Sequence, residues 1–172
     1  MDPNQFGILI DEVLSELKSN TPGAMMQLLV TAAIESGLRF FKQVGGGPAL
    51  GFFQMEPATF YDLWRVVYQE DTYRRVELFR VCHLPSYEPP VNLLYKNISL
   101  AIATARAQYQ RYSEPLPSLV KNEFGIDAYD LDAIVDYYIK YWRPNPEKTT
   151  PAEAKRRAFY ILGDHYEFKG IN

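Results

Sequence analysis

Cysteine is nearly absent from this sequence: Cys82 stands alone, so no disulfide can form within the chain. Histidine is scarce as well, and His83 and His165 with one thiol cannot make up a usual zinc set. No metal or other cofactor is therefore expected. Neither histidine lies near a Gly-x-Ser-x-Gly turn, and adjacency of Cys82 and His83 is not a nucleophile signature, so Ser- and Cys-based catalysis find no support. No run reaches the ~20 apolar residues of a membrane span. Positive charge is not in excess either. A net charge of −3 and a pI near 5.4 remove the electrostatic case for nucleic acid. The opening MDPNQFG has neither the basic start nor the apolar run of a secretion signal, which predicts synthesis in the cytoplasm without one.

What is present is the material of a core. Hydrophobic residues make up 47% of the 172 positions and aromatics 15%, enough for one folded domain spanning 1–172 without disulfide or metal. Thirteen tyrosines suit a sugar-binding groove or a partner surface as well as a helical core. No internal repeat or low-complexity tract interrupts the chain.

Helix signals dominate. Asp2-Pro3 opens a helix with Phe6, Leu9, Ile10, Val13, Leu14 and Leu17 at three- and four-residue spacing. Thr21-Pro22 opens a second, Pro57 a third with Phe60, Leu63, Trp64 and Val67 on one side, and a fourth is expected over 71–81 with Val76, Phe79 and Arg80 adjoining. The pattern from Val91 to Tyr112 predicts one long helix whose alanines 101–107 admit a close neighbour. A short helix is expected over 118–124, and a tyrosine-rich one over 129–142, stopped at Arg143-Pro144. Thr150-Pro151-Ala152-Glu153 is a capping box starting the last helix, with Ala154, Ala158, Phe159, Leu162 and Tyr166 inward. Lys155-Arg156-Arg157, like Arg74-Arg75, reads as a solvated face. The proline-rich stretch 83–90 is a loop, and any β structure is expected as a small hairpin across Leu50 to Met55.

Chemistry concentrates in residues 28–59. Between Ala24 and Ile34 only Gln27 and Thr31 are polar, so this helix should lie inside the domain. Its last turn carries Glu35, and Gly37 follows where a left-handed glycine commonly ends a helix. The negative end of the helix dipole and apolar surroundings would both raise the pKa of that carboxyl. A carboxylic acid that stays protonated near neutrality is what a general acid requires. A solvated glutamate at a helix end is the ordinary alternative.

The string IESG at 34–37, then a glycine-rich loop, then GFFQMEPAT at 51–59, resembles the soluble lytic transglycosylase and lysozyme-like superfamily. QVGGGPALGFFQMEP is further similar to a phage variety of that family. The match covers about 30 residues and is fairly specific in order and spacing; the rest corresponds only as helices of suitable length. The resemblance implies a mainly α, lysozyme-like fold, with a buried central helix and a small β-hairpin or irregular lobe walling a groove. It implies cleavage of peptidoglycan at the β-1,4 bond between N-acetylmuramic acid and N-acetylglucosamine, with Glu35 as the one catalytic acid/base. Gln54 matches the glutamine that lines the cleft floor, and Gln43 the one beside the glycine loop, there to support it or to touch substrate.

Glu56 reads first as a cap for the helix at Pro57 and second as an aid in orienting water or sugar hydroxyls. Tyr137 and Tyr141 share a helical face. The family it resembles places a tyrosine near its C-terminal Ala-Tyr-Asn motif, next to the catalytic glutamate. Tyr-Ile-Lys-Tyr-Trp-Arg-Pro stands here instead, and Tyr141 is the residue expected to meet Glu35 or sugar, with core packing as the alternative. Phe52 and Phe53 are expected to divide between core and cleft. Partners implied are peptidoglycan glycan strands and other phage tail or virion proteins, since an acidic chain without an export signal suits a virion-borne enzyme. A non-catalytic tail component keeping the same fold is the competing class, and chitin a third option for substrate.

Overall fold

The computed structural model describes residues 1–85, 87–142 and 149–169, and they are mainly helical. Helix α1 (Pro3–Glu16) starts where the Asp2 carboxylate accepts from Gln5 N at 3.0 Å. Helix α2 (Pro22–Ser36) starts on the Thr21 hydroxyl and ends on Gly37, which is left-handed at φ 61°. Twelve of its fifteen residues are buried, which makes it the central element. Around it pack α1, α5 (Ile98–Gln110), α6 (Leu131–Tyr141) and α7 (Pro151–Leu162). The expected capping box holds on its threonine side, with Thr150 accepting from Glu153 N.

A second apolar group joins α3 (Pro57–Leu63), the π-helical turn 64–69 that prolongs it, and α4 (Thr72–Val81). Helix α5 serves both groups. Ala101, Ile102, Ala105 and Tyr109 belong with α2, while Leu100, Ala103 and Ala107 belong with Phe60, Leu63 and Trp64. The run of alanines is what allows close approach on two sides.

Several expectations are corrected. The helix predicted over 91–112 is two pieces, a 3₁₀ turn (Val91–Tyr95) and α5, because Asn97 leaves helical geometry and its side chain caps Leu100 N at 2.9 Å. In place of a short helix over 118–124 there is an antiparallel pair, β1 (Leu119–Lys121) and β2 (Asp127–Tyr129), with Val120 opposite Ala128. Its turn is set by Asn122, whose side-chain oxygen accepts from both Phe124 N and Ile126 N. The hairpin expected across Leu50 to Met55 is reduced to isolated bridges, Lys42 with Leu50 and Leu50 with Met55. On α4, Val76 points outward at 53% exposure, and Leu78 and Val81 face inward. On α7, Phe159 is 40% exposed, so the inward set is Ala154, Ala158 and Leu162. Arg143-Pro144 lies outside the described residues.

The irregular segment 37–56 is held by its own backbone. Gly51 N donates to Phe41 O (2.8 Å), Gln43 N to Ala49 O (3.1 Å), and Leu50 and Met55 exchange bonds of 3.0 Å. Gly51 has φ 72°, and a Cβ there would lie 2.4 Å from the Leu94 carbonyl oxygen. Both strain and collision oppose any side chain. Gly51→Ala should therefore cost about 1–3 kcal/mol in urea-monitored unfolding, even though the substitution adds a methyl group and takes no apolar atom out of the core.

Candidate active site in the cleft beside Glu35

After Glu35 the chain turns sharply. Gly37 and Leu38 both adopt positive φ, and Leu38 inserts into the core while the next residues reverse across the end of α2. Segment 37–56 then returns beside the helix terminus. The result is a cleft of about 400 Å³ lined by Glu35, Gln43, Gln54 and Glu56, and on the α7 side by Arg157, Tyr160 and Ile161. The acid and the glutamine joined by the sequence motif thus share one cavity.

Glu35 is half-buried at this cleft, and Tyr138 on α6 donates a hydrogen bond to its Oε1 at 2.8 Å. Tyr138 is only 1% exposed, so its ring is fixed by packing and its hydroxyl aims the carboxyl. Further back, α2 carries Gln27 and Thr31, two turns and one turn before Glu35 and both fully buried. The Thr31 hydroxyl donates to Gln27 O (2.7 Å) and lies 2.6 Å from the Tyr109 hydroxyl. Gln27 Nε2 reaches that same hydroxyl and Ile134 O, each at 3.3 Å. A polar stripe therefore runs along α2 between α5 and α6 and ends at the acid.

Gln54 lines the cleft at 8% exposure with φ 46°, and its Nε2 donates to Gly51 O at 2.8 Å. That amide nitrogen holds the turn together. Gln43 does similar work: its Oε1 accepts from Ala49 N (3.3 Å) and its side chain lies against Gly47. Of the two roles open to Gln43, loop support is the one observed. Glu56 is the residue before α3 but makes no side-chain cap there; it lines the cleft instead.

Three expected site residues lie elsewhere. Phe53 is 1% exposed and packs with Phe6 and Trp142, and Phe52 is buried against Phe6 and Phe41. The positive φ at Gly51 and Gln54 curls the backbone so that the strand-like alternation fails and both rings turn inward. Tyr141 does not meet Glu35: its hydroxyl donates to Glu114 Oε2 at 2.5 Å, beside Lys140. Tyr137 donates to Glu114 O at 2.8 Å and stacks near Tyr141 and Tyr109. Both tyrosines belong to a cluster by a separate 620 Å³ cavity at the opening of α2, which Tyr137 lines. The buried residues of α6 are Leu131, Ile134, Val135, Tyr137 and Tyr138, and of its tyrosines it is Tyr138 that reaches Glu35 on α2.

Sequence reasoning misses Tyr138, Arg157 and Tyr160. Inward periodicity on α6 is the available signal for Tyr138; nothing local marks the other two. Arg157 pairs with Glu153 at 2.5 Å, an exposed i,i+4 pair of the kind worth about 0.3–0.5 kcal/mol. Such a pair is readily exchanged. Among the described residues no group of His, Cys, Asp and Glu could hold a metal, and no helix is long and apolar enough to cross a membrane. Asp62, the other acid near in sequence, is held below the usual carboxylate range by its bond to Arg65 and then by Arg111. It is not among the residues lining the cleft.

No family model matches this chain, and no curated protein or solved structure matches it.

Removing the Tyr138 hydroxyl isolates its aiming role. Tyr138→Phe keeps the ring and should lower any Glu35-dependent rate about tenfold to a hundredfold, while the melting temperature drops only a few degrees. Parallel rate and thermal-melt measurements on the two proteins check this.

Proposed function

We propose that this chain is a lysozyme-like lytic transglycosylase, cleaving the peptidoglycan glycan strand at the β-1,4 bond between N-acetylmuramic acid and N-acetylglucosamine. The observation that carries the reading is the Glu35 carboxyl, held by Tyr138 at 2.8 Å in a cleft that also bears Gln54. The central buried helix with an acid in its last turn, and the irregular lobe folded back beside it, support the same fold reading.

In this mechanism Glu35 in its acid form donates a proton to the glycosidic oxygen as the leaving sugar departs. The resulting carboxylate then takes a proton from the muramyl 6-hydroxyl, giving a 1,6-anhydro end, or from water, giving a reducing end. Tyr138 keeps the carboxyl aimed through both steps. Glu56 is the second carboxylate lining the cleft, available to order water or sugar hydroxyls. The net charge of −3 suits an enzyme carried to the wall within a phage particle more than one that finds an anionic wall by diffusion.

Zymography on purified peptidoglycan tests the activity, and mass spectrometry of the released fragments separates anhydro from reducing ends. Clearance with either product supports glycan cleavage. No clearance by a folded chain overturns it in favour of a non-catalytic virion component.

A further inference from the structure

The cleft is asymmetric in charge. Glu35 and Glu56 come from the end of α2 and the returning loop, whereas α7 contributes Arg157. Among the described residues lining the cleft, Arg157 carries the one positive charge. Beside it Tyr160 is 83% exposed, and Phe40 and Val44 across the loop are exposed too. A ligand fitting this surface has an uncharged, partly apolar body and one acidic substituent directed to α7. Anionic groups elsewhere along it would meet carboxylates.

We propose that Arg157 is a specificity-determining residue that reads the free 3-O-lactyl carboxylate of a muramyl sugar carrying no stem peptide, with Tyr160 stacking on the adjoining ring. This rests on the glycan-cleavage reading above. A guanidinium offers a planar fork of donors matched to a carboxylate, and its partner among the described residues is the half-exposed Glu153. Glu153 lies four residues back on the same helix, so a substrate carboxylate can displace it without any backbone movement. The consequence is discrimination: a strand whose lactyl groups are amide-linked to stem peptides forfeits the ionic bond to Arg157 while keeping the interactions of its sugar rings, so stem-peptide-free stretches are favoured.

The test is calorimetric binding to the full chain carrying Glu35→Gln, which prevents turnover. Two probes are used, a synthetic GlcNAc-MurNAc tetrasaccharide with free lactyl carboxylates and the same tetrasaccharide with those groups amidated. The expected result is about tenfold tighter binding of the acidic probe, the scale of one charge-assisted hydrogen bond at a half-exposed site. Adding Arg157→Gln should abolish that preference and leave the amidated probe unaffected. Glu153→Gln, which frees the guanidinium, should enlarge it. Equal binding of both probes before substitution, or a preference surviving Arg157→Gln, overturns the role of Arg157 while leaving glycan binding intact. Binding of neither probe removes the glycan-cleavage reading itself, and this inference with it.

Discussion

Glu35→Gln should fold as the parent does and lose about two to four orders of magnitude in lytic rate on purified walls, the range contributed by a positioned general acid. Glutamine keeps the shape of the side chain, and its carbonyl oxygen still accepts the Tyr138 hydroxyl seen at 2.8 Å. The core around it is undisturbed, because Glu35 is at the margin of α2 and not among its buried residues. What is removed is the transferable proton. Thermal melts and wall-clearance assays on matched samples separate the effects: unchanged melting with abolished clearance is expected. Clearance equal to the parent would show that another group supplies the proton, and Glu56 would be the next to examine.

The largest stability effect is expected at Phe53→Ala. Phe53 is packed between α1 and the end of α6 through Phe6 and Trp142, and replacing a buried phenylalanine by alanine costs about 3–5 kcal/mol. Against a total of about 5–15 kcal/mol for an ordinary domain, that leaves little in reserve. The midpoint of urea unfolding should fall steeply. Activity per folded molecule at low temperature should change far less than in Glu35→Gln. A variant of full stability that cannot bind glycan would put Phe53 back in the cleft, against its burial.

These two positions also mark how much is legible in the chain. Apolar density from Ala24 to Ile34 is enough to expect a buried central helix, and Gly37 enough to expect its end; both reflect local chemistry. Caps on Asp2, Thr21 and Thr150 are legible for the same reason, since one side chain three residues from a donor decides them. Bringing Gln54 to the cleft of Glu35 follows from motif order. Phe53 misleads because its orientation depends on positive φ at Gly51 and Gln54, and Gln54 gives no local warning of that. Tyr141 attracts the contact that Tyr138 makes, because two tyrosines four apart make an obvious pair, while the bond to Glu35 comes from the neighbour of Tyr137 in the chain. Arg157 belongs to a basic run that reads as solvated, and only the docking of α7 against α2 brings it to the cleft.

A greasy rod inside a greasy sleeve can spin, since one oily face serves as well as another. Gln27 and Thr31 prevent this in α2 by reaching Tyr109 and Ile134, and any turn about the axis would strand amide and hydroxyl groups in hydrocarbon. They act as an index pin. The compass bearing of the acid is thus determined about 12 Å away, deep in the interior.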